Sequence, residues 1–199
     1  MWVIGLTGGI GSGKSSVAQW LKEQGLPVLD ADQTVHSLLS EDQSTIQHVV
    51  ETFGKEILDL HGKIDRRILG TRVFKDEVAR KSLEQLLHPR VKKQMLIGQN
   101  ALESAGAKLC IWDVPLLFET GFDALMDEVW VVWVSLEDQL TRVMNRDSLS
   151  RSEVELRIMA QWSLEDKLKR ADVVINNSGS WAQTVLQLVA LLERIKDGV

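Results

Sequence analysis

Gly8-Gly9-Ile10-Gly11-Ser12-Gly13-Lys14-Ser15 has the spacing G-x-x-x-x-G-K-[ST] of a phosphate-binding loop. Each residue type has its own reason for being there. Glycines such as Gly8, Gly9, Gly11 and Gly13 let the backbone pass through positive φ and bring bare N–H groups against a phosphate. Lys14 supplies a mobile ammonium for β- and γ-phosphates, and Ser15 offers a hydroxyl to Mg²⁺. Ser12 and Ser16 complete the predicted cradle. Such a loop must open a helix, whose first N–H groups and positive dipole end also favour an anion.

The flanks have the form this requires. Trp2-Val3-Ile4-Gly5-Leu6-Thr7 is a short apolar run of the kind that makes a buried parallel strand. After the loop, Val17, Ala18, Trp20 and Leu21 recur at helical spacing, Gly25 ends the helix and Pro27 lies just beyond.

Composition narrows the class. The chain of 199 residues is long enough for a domain with a real core, and 44% hydrophobic and 26% charged residues are ordinary globular values. A net charge of −5 argues against a broad nucleic-acid surface. A single cysteine, Cys110, excludes an intrachain disulfide and a cysteine zinc cluster, and its apolar run predicts a buried, inert thiol. No apolar run approaches the roughly 18 residues of a membrane span, and Trp2–Leu6 is too short for a signal peptide. A soluble cytoplasmic protein with neither membrane nor nucleic acid as partner is expected. Nothing in the residues specifies an oligomeric state.

Further along, Leu26–Asp30 reads as a second strand ending in Asp30-Ala31-Asp32. Carboxylates there lie where open α/β sheets bind ligands, and can serve a substrate hydroxyl or a metal shell. An Asp at that place is equally suited to cap the next helix. Residues 33–105 are helical in pattern and too long for a simple crossover, so they read as an inserted helical region for a second substrate. Arg66, Arg67, Arg72 and His88 are its candidate polar contacts, and Pro89 is expected to interrupt a helix after Leu87-His88. Lys108–Asp113 is a third strand ending in an acid, the pattern of a metal-side carboxylate. Val114-Pro115-Leu116-Leu117-Phe118-Glu119 follows, as either a substrate wall or a packed connector. Glu128–Val134 and Ala171–Asn176 are the fourth and fifth strands. Between them lie helices carrying Arg142 and Arg146, then Arg157 and Gln161, which fit a lid over a triphosphate and equally a solvated face. Asn176 to Gly179 makes a turn, and Trp181, Val185, Leu188 and Leu192 line the last helix.

Strands alternating with helices predict a parallel sheet, and the loop at strand one makes it a nucleoside-triphosphate fold. The guanine-reading Asn-Lys-x-Asp of GTPases is absent. An α/β three-layer P-loop kinase fold with a five-stranded parallel sheet is expected. Residues 1–32, 106–138 and 171–199 are its nucleotide-binding core, 33–105 the helical region and 139–170 the lid.

Gly5–Ser15, Asp30-Ala31-Asp32, Leu87-His88-Pro89, Val114–Glu119 and Asp172–Gly179 together resemble the dephospho-CoA kinase family, in order and over nearly the whole chain. The resemblance implies transfer of the γ-phosphate of ATP to the 3′-hydroxyl of dephospho-CoA, with ATP and Mg²⁺ required. It implies that Gly11 to Ser16 hold the ATP phosphates and that Asp32 is the base or orienting group for the hydroxyl. His88 and Leu116 to Glu119 would border the acceptor, with Thr7, Asp30 and Arg66 on the same side. Arg142 would act from the lid, and Asn176 to Gly179 would lie near adenine. The alternatives are another small-molecule kinase of the same fold and a non-catalytic, ATP-dependent regulatory protein.

Overall fold

In the computed structural model, which describes residues 1–198, the elements run in a βα order that places the phosphate loop at the mouth of a sheet. They are β1 (Trp2–Gly8), α1 (Lys14–Glu23), β2 (Val28–Asp30), α2 (Ala31–Ser40), α3 (Gln43–Phe53), α4 (Arg66–Lys75) and α5 (Glu77–Ser104). Then come β3 (Leu109–Asp113), β4 (Glu128–Trp133), α6 (Leu136–Asp147), α7 (Arg151–Met159), α8 (Leu164–Leu168), β5 (Val173–Asn176) and α9 (Trp181–Gly198). The sheet has the order β2-β3-β1-β4-β5. The pairs of β1 with β3, β1 with β4 and β4 with β5 are all parallel.

The chain divides into two units, residues 1–29 with 99–199, and residues 30–98. In the first, Ile4, Leu6, Ile111, Trp130, Val132 and Ile175 of the strands are buried with Val17, Ala18 and Leu21 of α1 and Leu188 of α9. These are near-continuous apolar strands, as a sheet with covered faces demands. Two strand starts use the same device. Asp127 donates its N–H to the Val3 carbonyl at 2.9 Å, and its Oδ2 accepts the Val3 N–H at 2.7 Å. Asp172 treats Val129 in the same way, at 3.0 and 2.7 Å. Each carboxylate extends the ladder by one rung where the neighbouring strand has no carbonyl to offer. Cys110 is buried in β3, and burial pushes its thiol up to about 11, so it stays protonated and unreactive.

The second unit is helical, around Leu39, Val49, Phe53, Ile57, Ile64, Leu69 and Leu87. Asp42 and Asp65 cap α3 and α4. Pro89 does not break a helix. It lies inside α5, which is continuous from Glu77 to Ser104. Arg90, the next residue, donates from Nη1 to the Leu86 carbonyl at 2.7 Å, one position past the Gln85 carbonyl that the proline leaves without its helical N–H. Leu87, Val91 and Met95, spaced four apart, bury one face across the proline. The one Asp-x-x-Gly run, Asp59–Gly62, is a tight turn in this unit whose Asp59 accepts the N–H groups of His61 and Lys63. It is not at the end of a sheet strand, where a GTPase would need it.

Candidate active site

The phosphate loop joins β1 to α1 with Gly11 at φ 76° and Gly13 at φ 88°, a region open to glycine and costly for other residues. Its geometry also excludes side chains. A methyl group on Gly11 would stand 2.8 Å from Val143 Cγ2 and 3.0 Å from the Gln139 carbonyl, and one on Gly13 would collide with Asn177 Nδ2. The loop closes on itself through Ser12 N–H to the Gly9 carbonyl at 3.1 Å and Ser16 N–H to the Gly13 carbonyl at 3.0 Å. Ser15 and Ser16 are exposed on the first turn of α1. Ser12 Oγ is buried with no hydrogen-bond partner among the described residues.

Lys14 Nζ pairs with Asp113 Oδ1 at the end of β3. Asp113 is 4% exposed, so the loop's ammonium and a buried carboxylate share one point at the sheet's mouth. Arg142 on α6 donates from Nη2 to the Asn177 carbonyl at 2.8 Å. Its Nη1 comes within 3.8 Å of a methyl group built on Gly13, which puts a guanidinium beside the loop. Arg146, one turn on, is engaged elsewhere: it forms a two-point pair with Asp147 at 2.7 and 3.0 Å, and Arg157 joins the same carboxylate at 3.0 Å.

Asn177 is the central support. Its Nδ2 donates to the Ser12 carbonyl at 2.8 Å and its Oδ1 accepts from Thr184 Oγ1 at 2.8 Å. Asn176 builds the turn, its Oδ1 accepting the Ser178 N–H at 3.0 Å while Gln187 takes its backbone N–H and carbonyl. Gly179 follows, where a methyl group would collide with Gln183 Oε1.

The segment after β3 is packed and tethered. Thr7 Oγ1 donates to the Pro115 carbonyl at 3.0 Å, and Lys167 Nζ of α8 donates to the same carbonyl at 2.9 Å. Lys167 is 0% exposed and pairs with Glu119 Oε1 at 2.9 Å. Burial pushes its ammonium below the usual lysine range, and the Glu119 carboxylate pulls it partly back. Glu119 Oε1 also accepts the Trp162 N–H at 2.9 Å, whereas its Oε2 is buried with no hydrogen-bond partner among the described residues. Phe118 is buried and lies nearly parallel to Trp162, ring centroids 6.1 Å apart, and the Arg170 guanidinium lies 4.9 Å from the centroid of the same indole. Leu116 is half-buried. Leu117 and Phe118 thus have the packing of a connector.

Of the remaining candidates, Asp30, Asp32, Arg66 and His88 belong to the second unit. Asp30 caps α2, its Oδ1 accepting the Gln33 N–H at 3.0 Å. Asp32 lies in the first turn of that helix and is exposed. Arg66 is exposed at the start of α4, and His88 is half-buried in α5. Arg72 is committed to the fold, with Nη1 on the Phe53 carbonyl at 2.6 Å.

The sequence model of dephospho-CoA kinases matches residues 2–183. The chain belongs to the dephospho-CoA kinase family. It is 44% identical over 191 residues to the dephospho-CoA kinase of Geobacillus kaustophilus, covering 96% of this chain and 95% of the relative. Identity to that of Bacillus licheniformis is 46%, with the same coverage. Among solved structures, a Thermus thermophilus protein superposes with a TM-score of 0.81 at 37% identity, covering 97% of both chains. The dephospho-CoA kinase from Campylobacter jejuni does so at 0.75 and 31%, covering 98% of both. The fold is therefore the P-loop kinase fold expected of the sheet and loop, in a kinase family that uses ATP.

Three residues that brace the loop or the segment after β3 escaped the sequence reading. Asn177 stood inside the quoted turn with no sign that its side chain reaches the loop. Gln139 and Lys167 carry no local signal at all, since a glutamine or lysine on a polar helix reads as surface. Gln161 lies beyond α7 and not on it.

Proposed function

We propose that this protein transfers the γ-phosphoryl group of ATP to the 3′-hydroxyl of the dephospho-CoA ribose, giving CoA and ADP. The observation that carries the reading is the family match over residues 2–183, which spans the loop, the Pro115–Glu119 segment and the Asn177 turn. The reaction breaks the bond from the γ-phosphorus to the β,γ-bridging oxygen and forms one to the ribose oxygen, while the hydroxyl proton leaves to a base. Catalysis of this kind rests on positioning and charge neutralisation.

The loop amides from Gly11 to Ser16 hold the phosphates, Lys14 shifts between Asp113 and the β- and γ-oxygens, and Arg142 adds positive charge from α6. Asn176 to Gly179 form the side on which adenine rests. The residues present suit Mg²⁺: the exposed Ser15 hydroxyl stands at the head of α1, with the Asp113 carboxylate at the end of β3. Among the described residues no cluster of three or more His, Cys, Asp or Glu could hold a metal by itself. That is the pattern for an ion bound chiefly by substrate phosphates. Held there, Mg²⁺ would supply positive charge to the phosphates.

Dephospho-CoA, the acceptor, is assigned to the second unit, with Asp30, Arg66 and His88 as its contacts there. Thr7 and Leu116 to Glu119 are acceptor contacts that the family resemblance alone implies. Asp32 receives the hydroxyl proton. Because the proton moves late, an ordinary carboxylate suffices. With ATP and dephospho-CoA both saturating, Asp32→Asn lowers kcat by about 10²-fold, measured as ADP release. Near-normal turnover would remove Asp32 from the chemistry. A panel of other alcohol acceptors in the same assay separates this reading from a different small-molecule kinase, and ATP binding without turnover on any of them would indicate a regulatory protein. No helix among the described residues is long and apolar enough to cross a membrane.

A further inference from the structure

One residue of the phosphate loop is gripped from outside at both of its backbone polar atoms. The Ile10 N–H donates to Gln161 Oε1 at 3.1 Å, and the Ile10 carbonyl accepts from Gln139 Nε2 at 2.8 Å. The side chain of Ile10 packs against Leu140, Val143 and Val154, in the small apolar cluster that joins α6 to α7. Gln139 is buried, and its carboxamide presses on the loop so closely that a methyl group on Gly9 would collide with Nε2. The partners settle which end of each carboxamide is used. A backbone N–H only donates and a carbonyl only accepts, so Gln161 must present oxygen and Gln139 nitrogen.

We propose that Gln161 is a positioning residue for the phosphate loop. By holding the Ile10 N–H it fixes that peptide, so that the amides following it turn together toward the phosphates. It thereby links ATP affinity to the segment between α7 and α8. The inference rests on the reading of the loop as the ATP-phosphate site. Gln161 itself need not touch the nucleotide. Without its oxygen the Ile10 peptide can rotate, the loop is competent for a smaller fraction of the time, and apparent affinity falls by that fraction. The coupling is reciprocal: bound ATP holds Gln161 and its segment in place as firmly as they hold the loop.

The test uses the full chain, with ATP titrated by calorimetry and steady-state rates measured beside it. Gln161→Leu should weaken ATP about tenfold in Kd and in KM, with kcat within about threefold of the parent and the melting temperature nearly unchanged. Gln161→Glu keeps an acceptor oxygen and should restore ATP affinity to within about threefold. Gln139→Glu should not gain over Gln139→Leu, because it sets a carboxylate against the Ile10 carbonyl. This opposite response to one substitution at two glutamines is what mere packing would not give. The proposal is overturned if Gln161→Leu binds ATP like the parent, if Gln161→Glu is no better than Gln161→Leu, or if kcat falls with KM unmoved. Failure of the underlying reading looks different: the parent would not bind ATP, or Lys14→Ala would bind it equally well.

Discussion

Lys14→Ala lowers kcat by about 10³-fold in the ADP-release assay, while the protein still folds. The expected size is that of removing a fully committed charged donor from a phosphoryl-transfer site. Lys14 is the loop's own cation, and its partner Asp113 shows where the ammonium rests when it is not on a phosphate. Losing it leaves negative charge on the transferring group opposed by Arg142 and metal alone. Lys14→Arg should recover little of the rate. A planar guanidinium is larger than an ammonium and cannot follow the same path between a carboxylate and a phosphate. The substitution removes the Lys14–Asp113 ion pair, so a drop of a few degrees in melting temperature should accompany the loss. A melting curve recorded beside the rate separates the two effects. Turnover within tenfold of the parent would mean that the ammonium does not serve the transferring phosphate.

The second large effect concerns stability. Lys167→Met destabilises the protein by about 3–5 kcal/mol, the usual cost of leaving one member of a buried ion pair alone. Lys167 is fully buried, and its ammonium serves both the Glu119 carboxylate and the Pro115 carbonyl at 2.9 Å. Removing it leaves the Glu119 charge without its cation: Oε1 keeps only the Trp162 N–H, and Oε2 already has no hydrogen-bond partner among the described residues. For a chain of this length the change corresponds to a fall of roughly 10 °C in melting temperature. The double variant Lys167→Met with Glu119→Gln should regain most of that loss. It removes the stranded charge and keeps an oxygen for the Trp162 N–H. A single variant that melts with the parent would show that the pair contributes nothing, and a double variant no better than the single would place the cost in packing.

How far the chain could be read from its residues depends on how local each signal is. The strand, loop and helix around Gly8–Ser15 were legible because their spacing is set by neighbours in sequence. The five strands were legible for the same reason, each being a short β-rich run with an acid or turn at its end. Ser135 and Asp30 as helix caps follow from the same local chemistry. Pro89 misled because a local steric rule was outweighed by packing. The stripe Leu87, Val91 and Met95 continues across it and buries one face of the unbroken helix. Lys167 and Gln139 were opaque, and Gln161 was legible only as part of a helical lid, for a different reason. Their roles are fixed by partners 48 to 151 residues away, as with Gln161 on Ile10, and nothing in the flanking residues records such a partner.

The Trp162 ring has one more consequence. The chain has seven tryptophans and no tyrosine, so indoles alone give it its aromatic emission. Trp162 adjoins Gln161, lies against Phe118 and sits under the Arg170 cation, where a small displacement alters both its shielding from water and the nearby charge. The protein therefore carries its own lamp beside the phosphate loop, one of seven, whose share of the emission is the part lost in Trp162→Phe and can be followed in solution without attaching any dye.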